Sequence, residues 1–546
     1  MHKIAFLLLP FIAAPVLTAE TVPGLGTATF PTSTHSPAAQ HEFLRGLLLL
    51  HLFEYDDANK AFLAAEKLDP TFAMAYWGDA MTFNHPVWNQ LDVPAGQAAL
   101  ARFAPTPEAR AARIADPRER AWMSAVEILY SSRGTKPRRD ADYAVAMQHL
   151  SHDFPDDEAR LFSSLALLGR SEGVRDVPTY LQAAAIAKAV FDRQPNHPGA
   201  AHYWIHGMDD PQHAAGALIA ARALSKIAPD AGHAQHMCSH IFVALGMWDE
   251  VVEANLNAMR VVDEHAHAAA TPVLDCGHYA IWLEYAYYQQ GRIELGDSTL
   301  AACQATSSAY AAWARTQPVK TPNRSAAANS SLVQMRAISV IETRDWSSPA
   351  ATMTLQTAAL PPILQSEDTF ATGYAAAQRG NENLAAIKLA GLQSLAGRTA
   401  GQPNADPAEV ADSHILTTEL SAVIDFKAGQ NIAAITQLHQ AAATFDALPV
   451  DFGPPVTVKP PQELLGELLL AQKQFAQARE AFTASLAQYP RRTQSLLGLA
   501  RSTAALDDTS TATATYSELL QIWHNADPGY APKLEAEHFL AAHPHS

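Results

Sequence analysis

The sequence predicts an all-α fold, a helical solenoid in which helix–turn–helix units stack into a right-handed superhelix. Three observations predict it. Small, aromatic and proline residues recur at fixed offsets: Gly46, Ala58, Phe62, Ala65 and Pro70 fall at 0, 12, 16, 19 and 24, and Gly466, Ala478, Phe482 and Pro490 repeat 0, 12, 16 and 24. Pro195 and Pro229 stand 34 residues apart, the length of one two-helix unit. The chain between these anchors is rich in Ala and Leu at helical spacing and carries no run of alternating strand character. Small residues at these offsets let two antiparallel helices approach closely, and the proline ends the second helix before the next unit begins.

Composition narrows the functions open to such a fold. The 546 residues include 38 Lys and Arg against 55 Asp and Glu, a net charge of −17. That balance argues against nucleic acid as a partner, because phosphate binding needs a basic surface. A hydrophobic fraction of 48% excludes wholesale disorder. Three Cys cannot build a disulfide framework, no C-x-x-C pair is present, and without C-x-x-C-H there is no covalent haem. No nucleotide-binding fingerprint and no nucleophile elbow occur. The unusual number is 23 His.

Along the chain, residues 1–19 carry Lys3 and then an apolar run from Ile4 to Leu17, the layout of a signal peptide cleaved after Ala19. The run is short for a bilayer and holds Pro10 and Pro15, and no later stretch reaches spanning length. The expectation is an exported, periplasmic protein with no membrane span after cleavage. Residues 20–40 read as an arm, polar and proline-bearing over Gly24 to Ala38. Residues 41–400 read as helical repeats: Trp77-Gly78 opens a second unit, Gly246-Met247-Trp248 and Gly291-Arg292 are turns within helix pairs, and Thr316 to Ser330 is a polar connector. Residues 401–461 hold a second polar connector, Gly401 to Ser413, then connector helices and a proline-rich stretch, Asp451 to Pro461. That stretch reads as a stiff link between two blocks, with a path across the groove as the alternative. Residues 462–546 form the last repeats.

On these offsets the chain resembles a tetratricopeptide-repeat protein, most specifically at 43–78, 195–292 and 464–500. The phrases FEYDDA, AYWGDAMTFNHPVW, NHPGAAHYWIHGMDDPQHA, HMCSHIFVALGMWDE and KPPQELLGELLL are similar to a bacterial family of exported repeat proteins without an assigned activity. The resemblance implies that the first helix of each unit lines a concave groove, and that its second, fifth, ninth, twelfth and thirteenth positions face it.

Ten of the 23 His fall between His197 and His278. In repeat register, His202 and His206 take the fifth and ninth positions of one unit, and His236 and His240 take the same positions 34 residues on. Each i, i+4 pair puts two imidazoles on one helix face. His233 and His278 take second positions in their units. Asp209 and Asp210 take the twelfth and thirteenth positions of the first. Imidazoles with one or two carboxylates suit a transition metal, Zn, Fe or Cu. His202, His206, His236 and His240 are the first-choice ligands, His278 a fifth. His233 is a ligand or an orienting group, and Asp209 or Asp210 the carboxylate. Cys238, one residue off the groove positions, is expected in a helix interface.

Other candidates are weaker. Glu54, Asp56 and Asp57 lack a calcium-loop spacing and read as acid at a helix start. His85 either overhangs the groove or caps a helix end, and His51, at a thirteenth position, is expected to face the groove. Two functional readings follow. In the first, the groove holds a metal for storage, delivery or catalysis, with hydrolysis and oxidation equally open to a metal with a free coordination position. In the second, the chain is an envelope scaffold that binds a protein or peptide in the groove and holds no metal; its histidines are packing or recognition groups, and its acidity favours a basic partner.

Overall fold

A computed structural model describes residues 20–170, 175–317, 324–403 and 405–543; the expected signal peptide, 1–19, lies outside the described residues. The described residues form 26 α-helices and two short antiparallel hairpins. Helices contact both the next helix and the next but one, the pattern of stacked antiparallel pairs. The all-α repeat architecture is therefore the observed one. No helix among the described residues is long and apolar enough to cross a membrane. The chain divides into two compact units: 1–170 with 189–200, and 171–188 with 201–546.

The first unit begins with a hairpin, β1 (Glu20–Val22) and β2 (Gly26–Ala28). The stretch expected as a polar arm is pinned down. Thr27 donates its backbone N–H to Asn196 (3.1 Å), and buried Phe30 packs on Phe43 and Trp122 at 5.2 Å. Ser33 and Thr34 add hydroxyl hydrogen bonds to Glu119 (2.7 Å) and Asp69 (2.6 Å). Helix α1 (Pro37–His51) starts where Ser36 caps the N–H of Ala39 and Pro37 fixes the first turn. Helix α2 (Tyr55–Leu68) has Asp56 and Asp57 in its first turn, where acid complements the helix dipole. Helix α3 (Ala73–Met81) opens the next pair.

The recurring offsets now have a physical meaning. The Phe62 ring lies between Gly46 of α1 and Gly78 of α3; a Cβ on Gly46 would sit 2.8 Å from that ring, and one on Gly78 would overlap it. A second hairpin, β3 (Asn84–His85) and β4 (Gln90–Leu91), follows. His85 caps the end of α3, with Nε2 3.0 Å from the Thr82 carbonyl, and stacks on Tyr55 at 3.9 Å. Helix α4 (Asp157–Gly169) is capped by Asp156, which accepts from the Ala159 N–H at 2.8 Å.

In the second unit five helices matter most. Helix α5 (Pro198–Met208) enters this unit at Ala201. Helices α6 (Gly232–Ala244) and α7 (Trp248–Ala268) turn at Gly246, whose φ of +61° suits glycine. Helices α8 (His278–Gln289) and α9 (Ile293–Ala314) turn at Gly291, φ +68°. Both turns fall where the sequence places them. The connector expected over Thr316 to Ser330 is helical from Arg324, and the one over Gly401 to Ser413 is helical from Pro407, with Asp412 and Ser413 buried. Near the end, α10 (Pro461–Ala471), α11 (Phe475–Gln488) and α12 (Thr493–Ala505) repeat the early packing, with Phe482 between Gly466 and Gly498.

A disulfide joins Cys276, two residues before α8, to Cys303 within α9. One pair among three Cys was not legible as a bridge, because its partners lie 27 residues apart with no framework spacing.

Candidate metal centre

The second unit gathers six imidazoles. Helix α5 supplies His202 and His206, α6 supplies His233, His236 and His240, and α8 begins with His278. All but His278 are buried, and His278 reaches solvent. Ring centroids lie 4.8 Å apart for His202–His206, 5.1 Å for His202–His233, 5.7 Å for His206–His240, 5.1 Å for His236–His240 and 6.3 Å for His233–His236. These five close a circuit. His278 stands outside it, 4.5 Å from His236 and 6.3 Å from His240.

Ligand-capable nitrogens sort the rings into two sets of three, His202 with His206 and His233, and His236 with His240 and His278; within each set they lie within 4.8 Å of one another. The four residues in 34-residue register thus split by helix, each pair gaining a third histidine.

Hydrogen bonds fix two of the rings. Asn255, on α7, donates its side-chain N–H to the Val251 carbonyl (2.8 Å), which turns its amide oxygen toward His236 Nδ1 at 2.7 Å. An amide oxygen only accepts, so His236 carries its proton on Nδ1. His240 Nδ1 lies 3.0 Å from Asp209 Oδ2. Arg175 pairs with that carboxylate and, at 3.0 Å, with Asp210, so His240 Nδ1 is also a donor. The two Nε2 atoms face each other at 3.2 Å, so at most one proton can lie between them.

Arg175 therefore engages both Asp209 and Asp210. Asp209 is also 3.8 Å from His206 Nδ1, and Asp210 accepts from His213 Nδ1 at 2.7 Å. The expected carboxylates lie behind the imidazoles, on the Nδ1 side of His240. Aromatic rings close the site. Trp282 of α8 and Phe452 stack on His240 at 4.6 and 4.8 Å, and Gly453 lies so close to Trp282 that a Cβ would overlap the indole. The proline-rich stretch starting at Asp451 does more than link two blocks: its first residues cover the histidines.

Burial, followed by the neighbouring imidazoles, drives the pKa values of His206, His233 and His236 well below the ordinary histidine value. Burial and His240 lower His278 to about 3, although its contact with water weakens the burial contribution. These rings are neutral donors of lone pairs at neutral pH. Cys238 is no ligand: its thiol is buried in the helix interface as expected, donates to the Ala234 carbonyl, and is pushed up to about 12 by burial.

His51 is found in the first unit, in a different arrangement. His51 Nε2 and His197 Nε2 approach the two oxygens of Glu158 at 2.8 and 2.9 Å, all three residues being buried. Each contact there matches an N–H donor with a carboxylate acceptor. Glu158, at an acidic helix start, gave no sign of this in the sequence. Asn255, Arg175 and Phe452 were equally silent, since none belongs to the histidine pattern.

No family model matches the chain, and no curated protein does. Among solved structures, it is similar to the Cut9–Hcn1 structure of an APC/C hetero-tetramer (13% identity, TM-score 0.31, covering 94% of this chain and 78% of that one). It is also similar to a human IFIT1 dimer with PPP-AAAA (12%, TM-score 0.33, 90% and 92%) and to yeast Tom70 (11%, TM-score 0.25, 92% and 95%).

Proposed function

We propose that this chain is an exported repeat protein that holds a transition metal ion on His236, His240 and His278, for storage, delivery or metal-dependent catalysis. One observation carries the reading: the Nε2 atoms of His236 and His240 face each other at 3.2 Å inside a buried site, with both Nδ1 atoms turned to acceptors. Two lone pairs at that distance repel unless a proton or a metal ion lies between them. Burial disfavours a proton on His236. A metal fits: two nitrogens on one tetrahedral zinc, each at about 2.0–2.1 Å, stand about 3.3 Å apart. Asn255 and Asp209 take the usual place of groups that orient metal-bound histidines through the second ring nitrogen. The all-nitrogen donor set suits Zn, Cu or Fe better than Mg or Ca. His278, open to water, marks the side from which an ion or a small ligand enters. Export is supported by the apolar stretch from Ile4 to Leu17 and by the Cys276–Cys303 bridge, which suits an oxidising compartment.

The second reading, a scaffold that binds a protein or peptide and no metal, draws on the stacked helix pairs alone. Elemental analysis of the full chain, purified without an affinity tag, separates the two. The metal reading expects Zn, Cu or Fe in the wild type, reduced by one ion per chain on combining His236→Ala with His240→Ala while helical content is retained. Wild-type protein that is metal-free and also fails to bind Zn²⁺, Cu²⁺ or Fe²⁺ in titration leaves the scaffold reading.

A further inference from the structure

We infer that the site holds a second ion beside the first, on His202, His206 and His233, an inference that rests on the metal reading above. The second set repeats the logic of the first. Two of its rings are the i, i+4 pair of α5, in 34-residue register with His236 and His240 of α6. The third, His233, stands one turn before His236 on α6 and brings its ring to 5.1 Å from His202. A nitrogen of each lies within 4.8 Å of the others, and the three rings are 0%, 3% and 8% exposed.

Chemistry distinguishes this set from the other two groupings of histidine and carboxylate. In the His51–Glu158–His197 group of the first unit, imidazole N–H groups meet carboxylate oxygens at ordinary hydrogen-bond lengths, and no ion is needed to reconcile them. In the grouping of His206, Asp209 and His240, the carboxylate is already taken up by Arg175 and by the His240 Nδ1–H. The set of His202, His206 and His233 contains no carboxylate, and its three ligand-capable nitrogens converge on one another. His206 turns Nδ1 toward Asp209, at 3.8 Å, as His240 does at 3.0 Å. One carboxylate thus stands behind a ring of each set and leaves both Nε2 atoms on the side away from it.

The two sets share a wall, since His206 lies 5.7 Å from His240 and His233 lies 6.3 Å from His236. Two ions held this way are neighbours, each with three imidazoles and each with a coordination position left for water or a small oxygen ligand. Without a carboxylate in either set, both positions select borderline ions such as zinc or copper.

Stoichiometry tests the inference on the intact chain. Tag-free protein is stripped with chelator, saturated with Zn²⁺, freed of excess by gel filtration and analysed for zinc. Two ions per chain are expected. His202→Ala combined with His233→Ala should hold one, and His236→Ala combined with His278→Ala should also hold one. Titration with Co²⁺, read by its visible absorption, should show two steps in the wild type and one in each variant. A single ion in saturated wild-type protein overturns the second site and leaves the first standing. No ion at all overturns both. Because the wild-type count decides the matter, misfolding of a variant does not shelter the inference.

Discussion

At the scale of single residues, the site depends on groups that never touch an ion. Asn255 and Asp209 hold the Nδ1 atoms of His236 and His240 and so turn the two Nε2 atoms toward each other. Replacing Asn255 with Leu removes the acceptor for His236 Nδ1–H and lets the ring choose the other tautomer. Zinc affinity should then fall roughly 10–100-fold, the usual cost of losing such an orienting partner, with helical content unchanged. Competition against a chromophoric chelator reads the change; affinity equal to that of the wild type would mean that Asn255 orients nothing. The 34-residue spacing revealed the imidazoles but not Asn255, because an asparagine on the partner helix has no pattern of its own. Arg175 was invisible for the same reason: its meaning comes from Asp209 and Asp210, more than thirty residues away.

At the scale of elements, a phenylalanine sets how closely neighbouring helix pairs stack at two places in the chain. Phe62 fills the space that Gly46 and Gly78 leave, and Phe482 does the same between Gly466 and Gly498. Gly78→Ala or Gly498→Ala forces a methyl into an aromatic ring that is itself fully buried. Either change should cost about 1–3 kcal/mol by overpacking, measured by denaturant unfolding. A cost near zero would show that the helices can move apart freely. This element was fully legible beforehand, because the contact is encoded in offsets that recur along the chain. The segment from Asp451 was not. Its prolines announce stiffness, whereas the stacking of Phe452 on His240 depends on a helix some two hundred residues earlier.

At the scale of the whole molecule, the first unit carries a buried carboxylate that ties its stability to pH. In the first unit, burial alone would raise the Glu158 pKa, but the paired His197 and His51 more than offset this and hold it well below the usual carboxylate range. A carboxylate lowered on folding adds stability that is complete above its unfolded pKa, near 4.5, and is lost as the pH falls below that value through the folded one. Glu158→Gln should therefore destabilise the first unit at pH 7 by about 1–3 kcal/mol, because its amide N–H₂ meets an imidazole N–H, and should flatten the fall in melting temperature between pH 4.5 and 3. An unaltered acid slope in the variant would assign the sensitivity elsewhere. Periodicity along the chain specified the repeat, its length, the small and aromatic positions of its helix contacts and the face on which four histidines lie. Those are local properties, which fix where a side chain points on its own helix. Long-range packing settled that the histidines divide into two sets of three, that Asn255 and Asp209 orient His236 and His240, that Phe452 stacks on His240 and that Cys276 pairs with Cys303. Each of those depends on which distant surface packs against a given face, and repeat spacing carries no record of that.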